Sequence, residues 1–150
     1  MSDLSVFAAA FLGLFVAHHA ADYLFQSDRQ SGRKAGWTEP ETETGESGPG
    51  RHHHGWGVNQ LHAGTHTATT VAVLTLLAWA VGLPLSVASL TTSLGWVHVT
   101  HSVIDRRWPV RWWMTHTGSS GFVDRGGMPL VDQALHLTVG LFPAALLVTI

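Results

Sequence analysis

The stretch WVHVTHSVID, residues 96–105, closes a long apolar run with two imidazoles and a carboxylate. His98, His101 and Asp105 are spaced i, i+3 and i+7, so a helix would present all three on one face within two turns. Ionisable side chains inside a membrane helix are energetically costly, and they usually face the interior of a bundle at functional positions. The stretch therefore predicts a functional site at the polar end of a membrane helix.

The composition of the 150-residue chain is unlike that of an ordinary soluble domain. Only 12% of its residues are charged and 45% are apolar, whereas soluble domains carry about 25% charged residues. The formal net charge is -2, so nothing in the composition favours nucleic-acid binding. The absence of cysteine excludes disulfides, thiolate metal sites and cysteine nucleophiles. We therefore expect a membrane protein of about one domain, with the lipid bilayer as a partner and no nucleic-acid partner.

Four apolar segments have the length needed to cross a bilayer, which takes about 20 residues. They predict helices over about residues 4–25, 58–82, 85–105 and 129–150, joined by a polar loop at 26–57 and an interfacial loop at 106–127. The Leu83-Pro84 connection is so short that the second and third helices should form an antiparallel hairpin. Pro143 predicts a kink in the fourth helix. The predicted fold is an all-α four-helix transmembrane bundle.

The distribution of basic residues predicts how this bundle is oriented. All eight Lys and Arg residues lie in the two long loops, and none lies at either terminus or in the Leu83-Pro84 turn. By the positive-inside rule, both long loops should be cytoplasmic and both termini outside. The N-terminal segment lacks the positive residues of a signal peptide, so we expect a retained span and a multi-pass protein of the cell membrane.

The pattern of the opening stretch recurs in the other three apolar segments. Each contains a pair of ionisable residues four positions apart: His18 with Asp22, His62 with His66, and Asp132 with His136. The alternative is a set of interfacial polar residues that hydrogen-bond to one another, but converging imidazoles and carboxylates are better explained by a shared cation. The predicted metal ligands are His18, Asp22, His62, His66, His98, His101, Asp105, Asp132 and His136.

This ligand set is larger than one metal ion needs. A tetrahedral zinc takes about four ligands, so two divalent ions are one arrangement we consider. Imidazole and carboxylate without thiolate suit zinc, iron or manganese, and the sequence does not choose among them. Asp22, Asp105 and Asp132 are the candidate catalytic residues, each as a bridging ligand, an orienting partner of a histidine or a general base. The run His52–His54 is interpreted as a polar loop tract rather than as a metal site.

The same residues carry a resemblance to a family. The motifs are Ala17-His18 with Asp22 and Gln26, Leu61-His62 with His66, the run from His101 to Asp105, and Asp132-Gln133 with His136. In this order they resemble the motifs of an uncharacterised bacterial and phage integral-membrane family, known only as a domain of unknown function. The resemblance implies four hydrophobic segments that bear these motifs, and it covers nearly all of the chain except the insert at residues 39–57. Members often carry a lysine after the glutamine, which Lys34 could match. Because the family has no established activity, the resemblance names no reaction.

The leading functional hypothesis is a metal-dependent hydrolase that acts at the cytoplasmic face on a phosphate- or lipid-type substrate. Gln26, Lys34, Arg106 and Arg107 are the candidate substrate-binding residues. Arginines beside a helix end also act as plain topology determinants, which is the alternative interpretation for the last two.

Two other classes of function stay open. A metal or proton transport protein would need polar residues that continue to the far side, and residues 71–80 and 141–150 offer few. A membrane adaptor would use the metal to hold the bundle together while its loops bind a partner. Glycines that permit close helix packing, and with it a homodimer, are Gly13, Gly64, Gly95 and Gly140.

Overall fold

The computed structural model describes residues 2–36 and 54–150, and within these ranges the chain is helical with no strand. The all-α prediction is therefore confirmed. The long elements are α1 (Asp3–Tyr23), α3 (Trp56–Val81), α4 (Val87–Asp105) and a segment made of α7 (Met128–Leu135), a π-helical turn (His136–Leu141) and α8 (Phe142–Val148). The short elements are α2 (Asp28–Arg33), α5 (Trp108–His116) and α6 (Ser120–Asp124). His52 and His53 of the histidine run lie outside the described residues.

Three helical segments are long and apolar enough to cross a membrane: Asp3–Tyr23, Trp56–Val81 and Met128–Val148. The fourth predicted span, α4, is 19 residues long but does not join them, because hydroxyl and imidazole side chains along it lower its hydropathy. The structure thus agrees with a membrane protein, while the number of spans and the orientation of the termini stay predictions.

The long elements pack side by side in a closed order. Helix α1 contacts α3 and α8, and α4 contacts the same two neighbours from the opposite side. One end of this arrangement is filled by an aliphatic cluster: Val6, Ala10, Leu14, Leu74, Leu83, Val97, Leu141, Ala144, Ala145 and Val148. Gly13 lies so close to Leu77 that a Cβ there would collide with its side chain. Gly64 and Gly95 face open space instead, so a homodimer formed through them stays a prediction.

The connection between α3 and α4 is tight, as its sequence predicts. Gly82 ends α3 in the left-handed region with φ 69°, which a residue without a Cβ adopts at no steric cost. Ser86 then begins α4 with a capping box shared with Ser89. Because the two helices are joined by so few residues, the start of α3 and the end of α4 lie at the same end of the molecule.

The last long segment changes from α-helix to π-helix at His136, whose side chain is buried. Pro143 has no N–H to give to the carbonyl of Val139. The π-helical turn His136–Leu141 precedes it, and the indole Nε1 of Trp96 donates to the Val139 carbonyl at 2.8 Å. The irregularity predicted at Pro143 therefore takes the form of a wider turn, with a side chain from α4 as the substitute donor.

Both predicted loops contain short helices. In the first, Ser27 and Gln30 form a capping box that begins α2, whose six residues are too few for an apolar periodicity. In the second, α5 exposes Trp108, Trp112 and Trp113. Exposed tryptophans of this kind suit the headgroup region of a bilayer, as expected for an interfacial segment.

Candidate metal centre

Ionisable side chains from all four long segments cluster at the end of the molecule opposite the aliphatic cluster. Because neighbouring helices run in opposite directions, the end of α1, the start of α3, the end of α4 and the start of the π-helical turn coincide there. The buried side chains that meet are His18, Asp22, His62, His66, His101, Asp105 and His136. The convergence predicted from the four sequence pairs is therefore present for these seven residues.

Asp22 and the two histidines of α3 form a nearly equilateral triangle of ligand atoms. Oδ1 of Asp22 lies 3.1 Å from Nε2 of His62 and 3.2 Å from Nε2 of His66, and the two nitrogens are 3.2 Å apart. Atoms about 2.1 Å from one zinc ion lie about 3.4 Å apart in a tetrahedral site and about 3.0 Å apart in an octahedral one. The triangle therefore has the dimensions of one face of a metal site.

Asp105 organises the other side of the cluster. Its Oδ2 lies 3.0 Å from Nε2 of His101 and 3.3 Å from Nε2 of His62, and its Oδ1 lies 3.9 Å from Nε2 of His136. The candidate ligand atoms form two sets, and within each set all atoms lie within 4.8 Å of one another. The first set comes from Asp22, His62, His66 and His101, and the second from His101, Asp105 and His136. His101 belongs to both sets, and its ring centroid lies 3.6 Å from that of His66.

Several nitrogens in the cluster have no satisfactory hydrogen-bond partner. Nε2 of His18, His101 and His136 are all buried without a hydrogen bond. The His18 and His101 atoms lie within 3.2 Å of carboxylate oxygens, so their distances suit a hydrogen bond and their orientations do not. Buried polar atoms left unpaired cost about 1–3 kcal/mol each unless another group binds them. A cation among these lone pairs would satisfy them, so the donor set fits a divalent metal.

Lys34 enters the cluster itself, which the sequence analysis did not foresee when it assigned this residue to substrate binding. Its Nζ lies 2.9 Å from Nε2 of His62, 3.0 Å from Oδ2 of Asp105 and 3.7 Å from Oδ1 of Asp22. An ammonium group can only donate, so Nε2 of His62 must accept. Two acceptors, this nitrogen and Oδ1 of Asp22, then face each other at 3.1 Å without a proton between them. The Lys34 ammonium supplies the positive charge that such an arrangement requires.

Arg106, a candidate substrate-binding residue, is not among the residues that line the cavity beside the cluster. Its side chain is buried, with Nη1 donating to the Lys34 carbonyl at 3.0 Å and Nη2 donating to the His54 carbonyl at 2.7 Å. The guanidinium lies 4.4 Å from the centre of the Trp56 ring. Arg106 thus joins the two described ends of the first loop, and it holds the backbone that carries Lys34.

Two glycines make room for this guanidinium. Gly36 and Gly55 both have positive φ, at 70° and 76°. A Cβ at Gly36 would collide with the Arg106 guanidinium, and one at Gly55 would collide with the Arg33 carbonyl. A side chain at either position would therefore be strained in backbone and in space. Arg106 and these glycines are structural residues of the site that their isolated positions in the sequence did not reveal.

A cavity of about 320 Å³ opens beside the cluster. Its lining residues are Asp22, Tyr23, Gln26, Ser31, Lys34, Asp105, Arg107, Met128, Pro129, Asp132 and Gln133. Three of the four candidate substrate-binding residues, Gln26, Lys34 and Arg107, are among them. Gln26 donates from Nε2 to the Asp22 carbonyl at 3.1 Å, which ties the cavity wall to the end of α1.

Asp132 differs from the other two candidate catalytic carboxylates. Its side chain is 13% exposed, and Oδ2 lies 3.6 Å from Nδ1 of His136. It belongs to neither set of ligand atoms. His136 is oriented by the Asp132 backbone, because its Nδ1 lies 3.0 Å from the Asp132 carbonyl oxygen. The carboxylate at the cavity wall therefore suits a base better than a ligand.

His98 lies apart from the cluster, although its spacing from His101 and Asp105 predicted a shared face. Its Nδ1 lies 3.0 Å from Oγ1 of Thr67, and its Nε2 lies 3.0 Å from Oε1 of Gln60. The spacing of three residues from His101 rotates His98 toward the α3–α4 seam, so hydrogen bonds within that seam satisfy both of its ring nitrogens. Next to it, Asn59 and Ser102 link the same two helices.

The described residues thus define an all-helical protein with three candidate membrane-spanning helices and a buried His/Asp group that could hold a metal ion. Comparison with protein-family models, with curated proteins and with solved structures found no match in any of the three.

Proposed function

We propose that the protein is a four-span membrane protein that holds a divalent metal in its His/Asp cluster and hydrolyses a phosphate- or lipid-type substrate at the cytoplasmic face. The observation that supports this best is the cavity, which reaches Asp22 and Asp105 of the cluster and carries Lys34 and Arg107 on its wall. Hydrolysis of an anionic ester requires candidate metal ligands, space for the substrate and cationic side chains, and all three are found at this cavity. We also propose that the chain belongs to the uncharacterised membrane family that it resembles.

The chemistry divides between the ion and the side chains. A bound divalent ion supplies a Lewis acid and activates water near neutral pH. Asp22, His62, His66 and His101 would hold it, and Asp105 with His136 would hold a second ion or orient the first set. Asp132, at the cavity wall and outside both ligand sets, would act as the general base that accepts a proton from the attacking water. Arg107 would bind the anionic group of the substrate.

The distribution of polar groups favours hydrolysis at one face over transport. A transport path would continue from the cluster to the opposite end. The buried residues around Leu14, Leu74 and Val97 are aliphatic apart from three hydroxyl residues, and none of the described ones there is ionisable. The hydroxyl residues are Thr70, Ser89 and Ser93. We therefore rank a transport protein below the hydrolase.

A purified wild-type protein in nanodiscs, loaded with zinc or manganese, should hydrolyse phosphate esters, assayed with p-nitrophenyl phosphate and with phosphatidic acid as probes. Asp132→Asn should lower turnover by at least about a hundredfold while the metal content stays that of the wild type, because the variant removes the base and no ligand. Asp124→Asn, a change of an exposed aspartate in α6, is the matched control. Wild-type turnover in the Asp132→Asn protein would rule out the proposed base.

One observation favours the adaptor as the second candidate. Every side chain in the two ligand sets is buried, as in structural metal sites that have no open coordination position. If chelation unfolds the protein and no ester is hydrolysed in any metal form, the structural role replaces the hydrolase.

A further inference from the structure

We propose that Lys34 is a tethered counter-ion that competes with the divalent metal for the cluster, so that metal binds only when the ammonium group leaves. This role rests on the metal site of the proposed function, and it does not depend on which reaction the site performs. Lys34 is the only lysine in the sequence, and its side chain is buried.

The contacts of Lys34 are with metal-ligand atoms. Nζ lies 2.9 Å from Nε2 of His62 in the first ligand set and 3.0 Å from Oδ2 of Asp105 in the second. Oδ1 of Asp22 follows at 3.7 Å. The ammonium therefore lies between the two sets, at a position that neutralises both carboxylates at once.

Competition follows from the chemistry of the imidazole acceptor. The unprotonated nitrogen of a histidine ring has one lone pair, which accepts one N–H or binds one metal ion. The lone pair of His62 that accepts from Lys34 is consequently not available to a metal. An ammonium and a divalent ion in contact with the same carboxylates would also repel each other strongly in a buried site.

The backbone around Lys34 is held in place, so the movement required is that of its side chain. The Lys34 carbonyl accepts from Nη1 of Arg106 at 3.0 Å. The side chain already borders the cavity together with Arg107. When metal displaces it, the ammonium has this cavity to enter, where it would add a second cation for an anionic substrate.

The wild-type protein allows a direct test, because an amine-acylating reagent has one lysine to modify. Metal-stripped protein in nanodiscs is treated with an N-hydroxysuccinimide ester, with and without saturating zinc or manganese, and modification of Lys34 is followed by peptide mass spectrometry. Displacement by metal should make the modification several-fold faster. An equal or slower rate in the metal-loaded protein overturns the proposal.

A variant tests the same competition from the side of the metal. Lys34→Met keeps the length of the side chain and removes the charge, so zinc affinity should rise by at least about tenfold. Arg33→Met, which removes an exposed cation of α2 one residue away, should leave the affinity at the wild-type value.

The outcomes separate the competition from the metal site itself. Equal affinity in the wild type and the Lys34→Met protein leaves the metal site standing and overturns the competition. If zinc binds to neither protein, the proposed metal site fails and the competition fails with it. If the Lys34→Met protein cannot be purified, the acylation rate of the wild type decides alone.

Discussion

The two ends of this molecule are built from the same four long helical segments and are held together by different forces. At one end, Leu14, Leu74 and their neighbours fill the interior with aliphatic side chains. At the other, two carboxylates, five imidazoles and the Lys34 ammonium fill it with polar and charged groups. Burial of apolar surface and packing stabilise the first end, whereas the second needs a cation to satisfy its carboxylates and lone pairs.

This difference teaches that stability and function can be separated along the helix axes. A change at the aliphatic end should alter the free energy of unfolding and leave metal affinity alone. A change at the cluster should alter metal affinity first. Four changes, each compared with a control variant, test this separation and the contacts that hold the two ends together.

The largest effect is expected at the cluster. His101→Ala combined with Asp105→Ala removes the histidine common to both ligand sets and the carboxylate of the second. Metal affinity, measured by competition with a chromophoric chelator, should fall by more than about a hundredfold, since changes outside the ligand shell already cost about 10- to 100-fold. His98→Ala, in the same helix but outside the cluster, should keep the wild-type affinity. Full metal occupancy in the double variant would contradict the site.

At the aliphatic end, Leu14→Ala should lower the free energy of unfolding by about 3 kcal/mol, because it leaves a cavity among buried side chains. Denaturant titration in detergent measures this change, and metal content should not alter. Leu12→Ala, at a position 62% exposed, should change the stability by less than about 0.5 kcal/mol. A loss of metal in the Leu14→Ala protein would show that the ends are coupled.

The next largest effect is expected at Arg106, whose side chain clamps the two described ends of the first loop together. Arg106→Ala removes both hydrogen bonds to the Lys34 and His54 carbonyls and the contact with Trp56. We expect a loss of about 2 kcal/mol, because hydrogen bonds to charged groups contribute about 1.5–3 kcal/mol each and water replaces part of them. The same titration compares it with Arg125→Ala, at an exposed residue after α6. Equal stability of the two variants would exclude the clamp.

The smallest effect concerns the π-helical turn. Trp96→Phe removes the indole donor to the Val139 carbonyl, to which Pro143 has no N–H to donate. The cost should be about 1 kcal/mol, the net value of one hydrogen bond. Trp79→Phe, at a side chain 83% exposed, is the control. A Trp96→Phe protein as stable as this control would mean that the carbonyl finds another donor.

The helical class and most of the cluster could be predicted from the sequence, because both depend on local spacing. Apolar length locates a helix, and pairs four residues apart in segments of alternating direction must meet at one end. His98 shows the limit of this argument. Its i+3 spacing to His101 permits either the cluster face or the α3–α4 seam, and only the polar side chains of the neighbouring helix, Thr67 and Gln60, decide between them.

The roles of the basic residues could not be predicted, because they depend on the path of a loop. Nothing in the spacing indicates that Lys34 folds back between Asp22 and Asp105, or that Arg106 turns toward the Lys34 and His54 carbonyls. The positive φ values of Gly36 and Gly55, which allow that path, are likewise set by tertiary contacts. Long polar side chains beside a membrane helix can reach several partners, and sequence alone does not choose among them.

The most direct test of the central claim is elemental analysis of the protein purified without chelator, side by side with His62→Ala/His66→Ala. We expect the wild type to carry about one or two divalent ions per chain and the double variant to carry none, since the variant removes two corners of the Asp22 triangle. A wild type without stoichiometric metal, even after incubation with zinc, iron or manganese, would contradict the account.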